Sequence, residues 1–439
     1  MAIVNISNKA VVVNPLKQSQ ALGATLAFLG LKRTMPLLHG SQGCTAFAKV
    51  ILVRHFREVI PLSTTAMTEV TTILGGEDNV EKSILTLVEK VKPEIIGLCT
   101  TGLTETRGDD MQRIIKEFRK KYPGLNSLPI ILVSAPDFKG ALQDGYSAAI
   151  ESIIRELPQA GETKPQQVNF LFGPAFTPGD VEHIKEISSS FGIVPVCVPD
   201  LSLSMDGHLE ESWSPITVGG TTIKQLQSMG SSAFTLALGE SMHGAAEMLT
   251  EKFGIPHEVF RGITGLETVD EFIMAMTDIS GNPVPKIYDR DRQQLQDAML
   301  DSHFYFSRKR ISLALEPDLL WSTISFLQSM GAEIHAAVTT THSPLLEQLP
   351  IEKVTIGDYQ DFEQLAQGSD LLIGNSHTHA IAKRLHIPLY RHGFPIFDRL
   401  GNGQVTKVGY KGTMQMLFDI GNKFLAAEEN KVQYLNSNL

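Results

Sequence analysis

Short runs, most of them apolar, recur along the chain, and longer stretches with helical spacing separate them. Pro93-Glu94-Ile95-Ile96-Gly97-Leu98-Cys99 and Pro129-Ile130-Ile131-Leu132-Val133 are two such runs; 168–172, 194–198, 233–238 and 257–260 continue the series, followed by 311–315, 333–338, 353–356 and 370–373. Apolar runs without alternation predict strands buried on both faces. Between them, apolar residues three and four apart predict helices over 79–90, 109–121, 144–157, 179–191, 222–229, 241–253, 268–279, 290–302, 318–330 and 361–367. Strand and helix alternate, so the expected fold class is α/β, built from doubly wound, mostly parallel, Rossmann-like sheets.

The beginning and end of the chain frame this pattern. Residues 1–14 read as an extended arm ending in Ala10-Val11-Val12-Val13, before Pro15. A helix over 18–29 follows, with Gly30 as its expected left-handed stop. The last predicted helix, 414–429, is expected to pack back on the rest. Pro158-Gln159-Ala160-Gly161-Glu162-Thr163-Lys164-Pro165 breaks the alternation, and Gly281-Asn282-Pro283-Val284-Pro285 breaks it again. We therefore expect three α/β domains, 1–164, 165–286 and 287–439.

In parallel α/β sheets the loops after the strands take ligands. Here they are 99–108, 135–137, 173–177, 239–243, 316–317 and 374–379. None carries G-x-G-x-x-G or a P-loop, so neither nucleotide fingerprint is present.

The bulk numbers exclude several classes. The 439 residues are 42% hydrophobic and 20% charged, enough for a full core, and the net charge of −10 advertises no nucleic-acid face. No apolar run reaches the roughly 18 residues a membrane span needs. Met1-Ala2-Ile3-Val4-Asn5 does not read as a signal peptide. Cys44, Cys99 and Cys197 lie far apart with no C-x-x-C pair, which argues against a zinc knuckle or a disulfide framework and suits the cytoplasm.

One stretch stands out for chemistry: Leu37-Leu38-His39-Gly40-Ser41-Gln42-Gly43-Cys44-Thr45-Ala46-Phe47-Ala48-Lys49. Its glycines allow φ > 0 and close backbone approach, and a helix over 45–55 follows. Cys44 at that helix start would have its thiolate favoured by free N–H groups and the dipole. It is a candidate metal or cluster ligand; the alternative is a buried structural cysteine. Cys99 and Cys197 read as core packing. In Gly374-Asn375-Ser376-His377-Thr378-His379 the two histidines could share a metal, or one could cap a helix. In Gly239-Glu240-Ser241-Met242-His243-Gly244, Ser241 reads as a helix cap rather than a nucleophile. Asp109-Asp110 reads as dipole compensation, and Arg54-His55-Phe56-Arg57-Glu58 as either a basic helix end or a docking surface.

Several segments, in order, are similar to the nitrogenase component 1 family. They are Val13-Asn14-Pro15 with Leu22-Gly23-Ala24, His39-Gly40-Ser41-Gln42-Gly43-Cys44, Arg54-His55-Phe56-Arg57-Glu58, Met67-Thr68-Glu69, Gly75-Gly76, Glu105-Thr106-Arg107-Gly108-Asp109-Asp110 and Gly393-Phe394-Pro395-Ile396-Phe397-Asp398-Arg399. The catalytic β subunit of that family supplies three cysteines to an eight-iron cluster. The middle one falls on Cys44, the first on Ser19 and the third on Gly102. The resemblance therefore implies the branch that matures the iron–molybdenum cofactor, not the catalytic one. It implies that Cys44 is one ligand of a [4Fe–4S] cluster shared with the partner NifE in an α2β2 heterotetramer. It also implies that the cofactor precursor is held mainly by NifE, that the nitrogenase iron protein NifH docks transiently, and that the chain has no independent catalytic residues. A catalytic β subunit or related reductase subunit is the alternative, disfavoured by Ser19 and Gly102. A cluster-free small-molecule-binding α/β protein is the third reading.

Overall fold

The computed structural model describes residues 2–7, 9, 15–209 and 212–437, with 430–437 described as backbone. The expected end of the N-terminal arm, Ala10-Val11-Val12-Val13, lies outside the described residues.

In chain order, β1 (Ile3–Ile6) comes first. Next are β2 (Thr34–Leu38), β3 (Ser63–Thr64), β4 (Ile95–Cys99) and β5 (Ile130–Val133). Then come β6 (Lys164–Phe172), β7 (Val194–Val198), β8 (Ser232–Leu238) and β9 (His257–Phe260). The last are β10 (Arg310–Ala314), β11 (Glu333–Thr339), β12 (Lys353–Ile356), β13 (Leu371–Gly374) and β14 (Leu389–Arg391). They form three sheets, ordered β3-β2-β4-β5, β7-β6-β8-β9 and β1-β12-β11-β10-β13-β14. Every pairing with a recorded register is parallel. The expected α/β class with parallel sheets is therefore the observed one.

The chain forms two compact units. One is Met1–Lys17, His183–Gly192 and Phe260–Leu439; the other is Gln18–Glu182 and Ile193–Val259. The first contains the six-stranded sheet, to whose edge β1 adds beside β12. The second contains β2 to β8 and all but the last residue of β9.

Helical spacing explains the cores. Against β2, β4 and β5 (Met35, Leu37, Ile96, Leu98, Ile130), helix Glu77–Lys90 buries Val80, Ile84 and Leu87, and helix Met111–Lys121 buries Met111, Ile114 and Phe118. Helix α1 (Gln20–Leu29) is buried along its whole length. It crosses helix Leu142–Glu156 where both lack side chains: a Cβ at Gly23 would land on the Leu142 carbonyl, and one at Gly145 on the Gln20 carbonyl. Gly30 does follow α1, but with φ −86°. It is not the left-handed stop expected; a Cβ there would meet Asp200 N at 3.0 Å and crowd the Pro199 ring, so packing requires the glycine.

In the other unit, Ala314, Val338, Leu372 and Leu389 form a core with Tyr359, Phe362 and Ile381. The last helix runs Gly409–Ser437, longer than the expected 414–429, and packs on helix Lys286–Phe306 through pairs such as Phe306–Phe424.

A candidate cluster-ligand site at the strand ends

The carboxyl ends of β2, β4 and β5 converge, and three loops leave them. The first is His39-Gly40-Ser41, which enters α2 (Gln42–Phe56). That helix starts three residues earlier than the spacing suggested, so Cys44 is its third residue. Ser41 is the N-cap residue but makes no side-chain cap bond, so the first-turn N–H groups lack that acceptor. The Cys44 thiol is exposed, with the Ser41 hydroxyl 3.4 Å away. This overturns the reading of Cys44 as a buried structural cysteine. Cys99 and Cys197 are buried, as expected, and burial pushes the Cys99 thiol well above its ordinary range.

The turn glycines work differently from the expectation. Neither Gly40 nor Gly43 has positive φ. Gly40 is required for contact, since a Cβ there would sit 2.7 Å from Thr101 Oγ1 and 2.9 Å from Thr101 Cγ2. Thr101 and Thr104 both donate to the His39 carbonyl, at 2.9 and 3.2 Å. They belong to the second loop, where the polar stretch after β4 contains a short helix, Gly102–Arg107, instead of being all loop.

The His39 side chain is fully buried. Its Nε2 lies 3.2 Å from Asp109 Oδ2 and its Nδ1 3.0 Å from Thr65 Oγ1. A carboxylate only accepts, so Nε2 holds the proton and Nδ1 accepts from Thr65, whose oxygen in turn accepts from Gly40 N–H at 3.2 Å. Arg107 pairs with the other Asp109 oxygen. Burial holds His39 below its ordinary value of 6.5, against the pull of Asp109, and Arg107 adds to the lowering. Gly76 gives this imidazole its space: a Cβ there would lie 2.7 Å from His39 Cε1. Asp109 is thus a partner of His39 and Arg107, while Asp110 caps the next helix through Arg113 N–H at 3.0 Å. Glu105 ties two strand ends together, accepting from Thr100 and Ser134 at 2.5 and 2.6 Å.

The third loop carries Asp137, which sequence reasoning included only as the end of a strand-end loop. Its Oδ1 accepts from the Ser19 hydroxyl and the Gln20 N–H, both at 2.9 Å. Ser19 is the N-cap of α1, accepting from Ala21 N–H at 3.2 Å. A Cβ on Gly102 would have Asp137 Oδ2 as its nearest neighbour, 3.8 Å away. Ser19 and Gly102 therefore flank one carboxylate.

The other candidates separate. Asn375, not a histidine, caps the turn after β13, accepting from His377 N–H at 2.9 Å, and His379 instead approaches Arg391 at 3.1 Å. Helix His243–Phe253 has no side-chain cap bond, so Ser241 is not its cap; Ser241 instead offers its carbonyl to the Ser147 hydroxyl at 2.6 Å. Arg54 and His55 do close α2, and Arg57 takes the left-handed position at φ 61°. Among the described residues no group of three or more His, Cys, Asp or Glu could hold a metal. Among them, too, no helix is long and apolar enough to cross a membrane.

Large apolar side chains are exposed on α2 and on the short helix that follows β3. Phe47 is 70% exposed and Val50 53%, on α2. Helix Glu69–Leu74 buries nothing, and its Ile73 and Leu74 are 79% and 80% exposed. Patches of this kind mark association surfaces.

Three parallel sheets, with an exposed thiol at one strand-end turn, define a protein of the doubly wound α/β class. Residues 19–425 match the family model for nitrogenase component 1 type oxidoreductases, and the chain belongs to that family. It is 68% identical over 438 residues, covering 100% of this chain and 99% of the relative, to the nitrogenase iron-molybdenum cofactor biosynthesis protein NifN of Nostoc sp.. It is 58% identical to the protein of the same name from Rippkaea orientalis, covering 98% and 97%. A solved structure described as nitrogenase Cp1 at pH 6.5 superposes with a TM-score of 0.91 at 32% identity, covering 97% of this chain and 95% of the other.

Proposed function

We propose that the chain is the β-like subunit of the scaffold on which the iron–molybdenum cofactor precursor is matured. In this reading it pairs with NifE in a cytoplasmic α2β2 heterotetramer, and Cys44 supplies one thiolate to a [4Fe–4S] cluster whose other ligands come from NifE. The precursor resides mainly in NifE, and NifH docks transiently. The relatives named for cofactor biosynthesis support the role at 68% and 58% identity.

The observation that carries the reading is the contrast at the strand ends. Cys44 is open to an outside group, whereas Ser19 and Gly102 both flank Asp137 and offer no sulfur. A cluster bound by four thiolates is anionic, and the amides at the start of α2 suit such a charge. The exposed apolar side chains of α2 and of helix Glu69–Leu74 give the partner a surface to cover. The catalytic β-subunit reading needs thiolates at 19 and 102 and loses on the same contrast.

The test is co-purification with NifE, followed by iron analysis and paramagnetic resonance. Alone the chain should hold almost no iron; paired, it should give a [4Fe–4S] signal that Cys44→Ala weakens or converts. An unchanged spectrum and iron content in that variant refutes the ligand assignment. Cys99→Ala and Cys197→Ala should leave the signal as it is.

A further inference from the structure

In the unit that holds the six-stranded sheet, a groove of about 1010 Å³ runs beside the edge strand β14. Helix His379–Leu385 and the second half of helix Gly409–Ser437 form its sides. The volume is at the upper end of the range for small-molecule sites. Ile387, Leu389 and Phe424 give it apolar wall, and Arg391, Arg399 and Lys423 line it as cations; of its carboxylates, Glu428 is paired with Lys309 at 3.0 Å and Asp370 lies 4.0 Å from Arg310.

Arg391 is ion-paired, whereas Arg399 and Lys423 are less fully neutralised. Asp398 is committed to the Arg391 guanidinium, accepting from Nε at 2.9 Å and Nη2 at 2.7 Å. Burial works against the Asp398 charge, but Arg391, the Ser376 hydroxyl and Arg399 together hold its carboxyl at about 2. Arg399 spends one nitrogen on the Asp398 carbonyl at 2.7 Å and lies 3.9 Å from its carboxylate. Lys423 is half-buried, and burial, then Arg391 and Arg399, push its ammonium below the ordinary 10.5, with only Asp419 pulling the other way. A half-buried ammonium beside two guanidinium groups is costly unless an anion shares the space.

We propose that this groove binds a small organic oxyanion, a phosphate ester or a polycarboxylate, whose anionic group sits between Arg399 and Lys423 while its carbon body lies against Ile387 and Phe424. Arg391 stays in its Asp398 fork and adds positive potential from behind. This inference is independent of the cluster reading, because no residue of the groove lies near Cys44 in the chain and the two sites belong to different units.

The test uses the purified complex, or the full chain, and follows the thermal midpoint as sodium pyrophosphate, AMP or citrate is titrated against sodium chloride of equal ionic strength. A saturable rise with at least one probe, beyond the chloride control, is expected, and which probe saturates lowest separates phosphate from carboxylate ligands. Lys423→Met should weaken that response at least ten-fold, whereas Lys383→Met, on the exposed rim, should keep it. Without any anion, Lys423→Met should melt no lower than the wild type, since it removes an unneutralised charge; this guards against mistaking misfolding for lost binding. No saturable response to any probe, or an equal response in the Lys423 variant, overturns the proposal. The latter would place the anion elsewhere, and the former would leave the groove to acidic side chains of another chain.

Discussion

Cysteine can be put back at positions 102 and 19 separately, and the geometry predicts different costs for the two. Gly102 opens its helix without positive φ, and a Cβ there meets nothing closer than Asp137 Oδ2 at 3.8 Å, an ordinary contact. Gly102→Cys should therefore be neutral within about 0.5 kcal/mol, with any entropic gain from losing a glycine on the favourable side. Ser19 is different. Its oxygen accepts from Ala21 N–H and donates to Asp137, and a thiol does both poorly. Losing an N-cap costs about 1 kcal/mol, and a weakened bond to a part-exposed carboxylate adds up to about 1 more. Gly97→Ala calibrates the scale, because its Cβ would meet the buried Phe28 ring at 2.5–2.6 Å inside β4 and should cost about 1–3 kcal/mol or more. Thermal midpoints of the three variants in the complex are the assay; 1 kcal/mol corresponds to a shift of about 2 °C in large domains. The expected order is Gly102→Cys near wild type, Ser19→Cys slightly lower and Gly97→Ala lowest. The reasoning fails if Gly102→Cys melts as low as Gly97→Ala, or if Ser19→Cys is silent.

Two further predictions concern stability. Gly23→Ala and Gly145→Ala each put a methyl group onto a backbone carbonyl where α1 crosses its neighbour. Each should cost more than about 3 kcal/mol, read as loss of soluble expression or a midpoint several degrees lower, and a midpoint within a degree of wild type would contradict the crossing. The second concerns pH. Burial lowers both His39 and His392 from 6.5, so below that pH the unfolded chain binds protons that the folded chain refuses. Their stabilising contribution is complete above about pH 6.5 and is lost as pH falls below it. His39→Gln and His392→Phe should each flatten the fall in midpoint between pH 7 and pH 5.5, and an unchanged slope in both would refute the assignment.

The strands were the most legible part of the fold. Runs such as 194–198 and 353–356 match β7 and β12 residue for residue. Elements made by pairing alone were not legible. The two residues of β3 and the three of β14 carry no periodicity. Helix Gly102–Arg107 falls in the polar stretch expected to be loop, and helix Glu69–Leu74 falls where no element was expected. Threonine hydroxyls serve both starts: Thr68 and Thr71 bond reciprocally, and the Thr104 hydroxyl accepts from Thr101 N–H at 3.0 Å. At the site, the cysteine and its turn were legible, but their anchoring was not. Asp137 reaches Ser19 across 118 positions, and Asp109 reaches His39 across 70, distances that no local pattern encodes.

That anchoring decides how the exposure of Cys44 should be understood. A cysteine can be exposed because its loop is loose, and then its position means little. Here the turn before it is held from several sides. The His39 carbonyl takes two threonine hydroxyls, its imidazole is clamped between Thr65 and Asp109, and the Gly40 N–H and carbonyl are taken by Thr65 and Met67. His39 N–H also bonds Cys99 O at 2.8 Å, continuing the β2–β4 ladder past its end. Every one of these bonds is made without the sulfur, so the start of α2 keeps its place whether or not anything is bound there. The thiol is offered at the surface by a network that does not use it, with the Ser41 hydroxyl 3.4 Å away. The same rigidity places Ser19 and Gly102 around Asp137, where oxygen and an empty Cα stand in place of sulfur. Under the proposed function, a preorganised thiol at Cys44 and none at 19 and 102 are what a site completed by another chain requires.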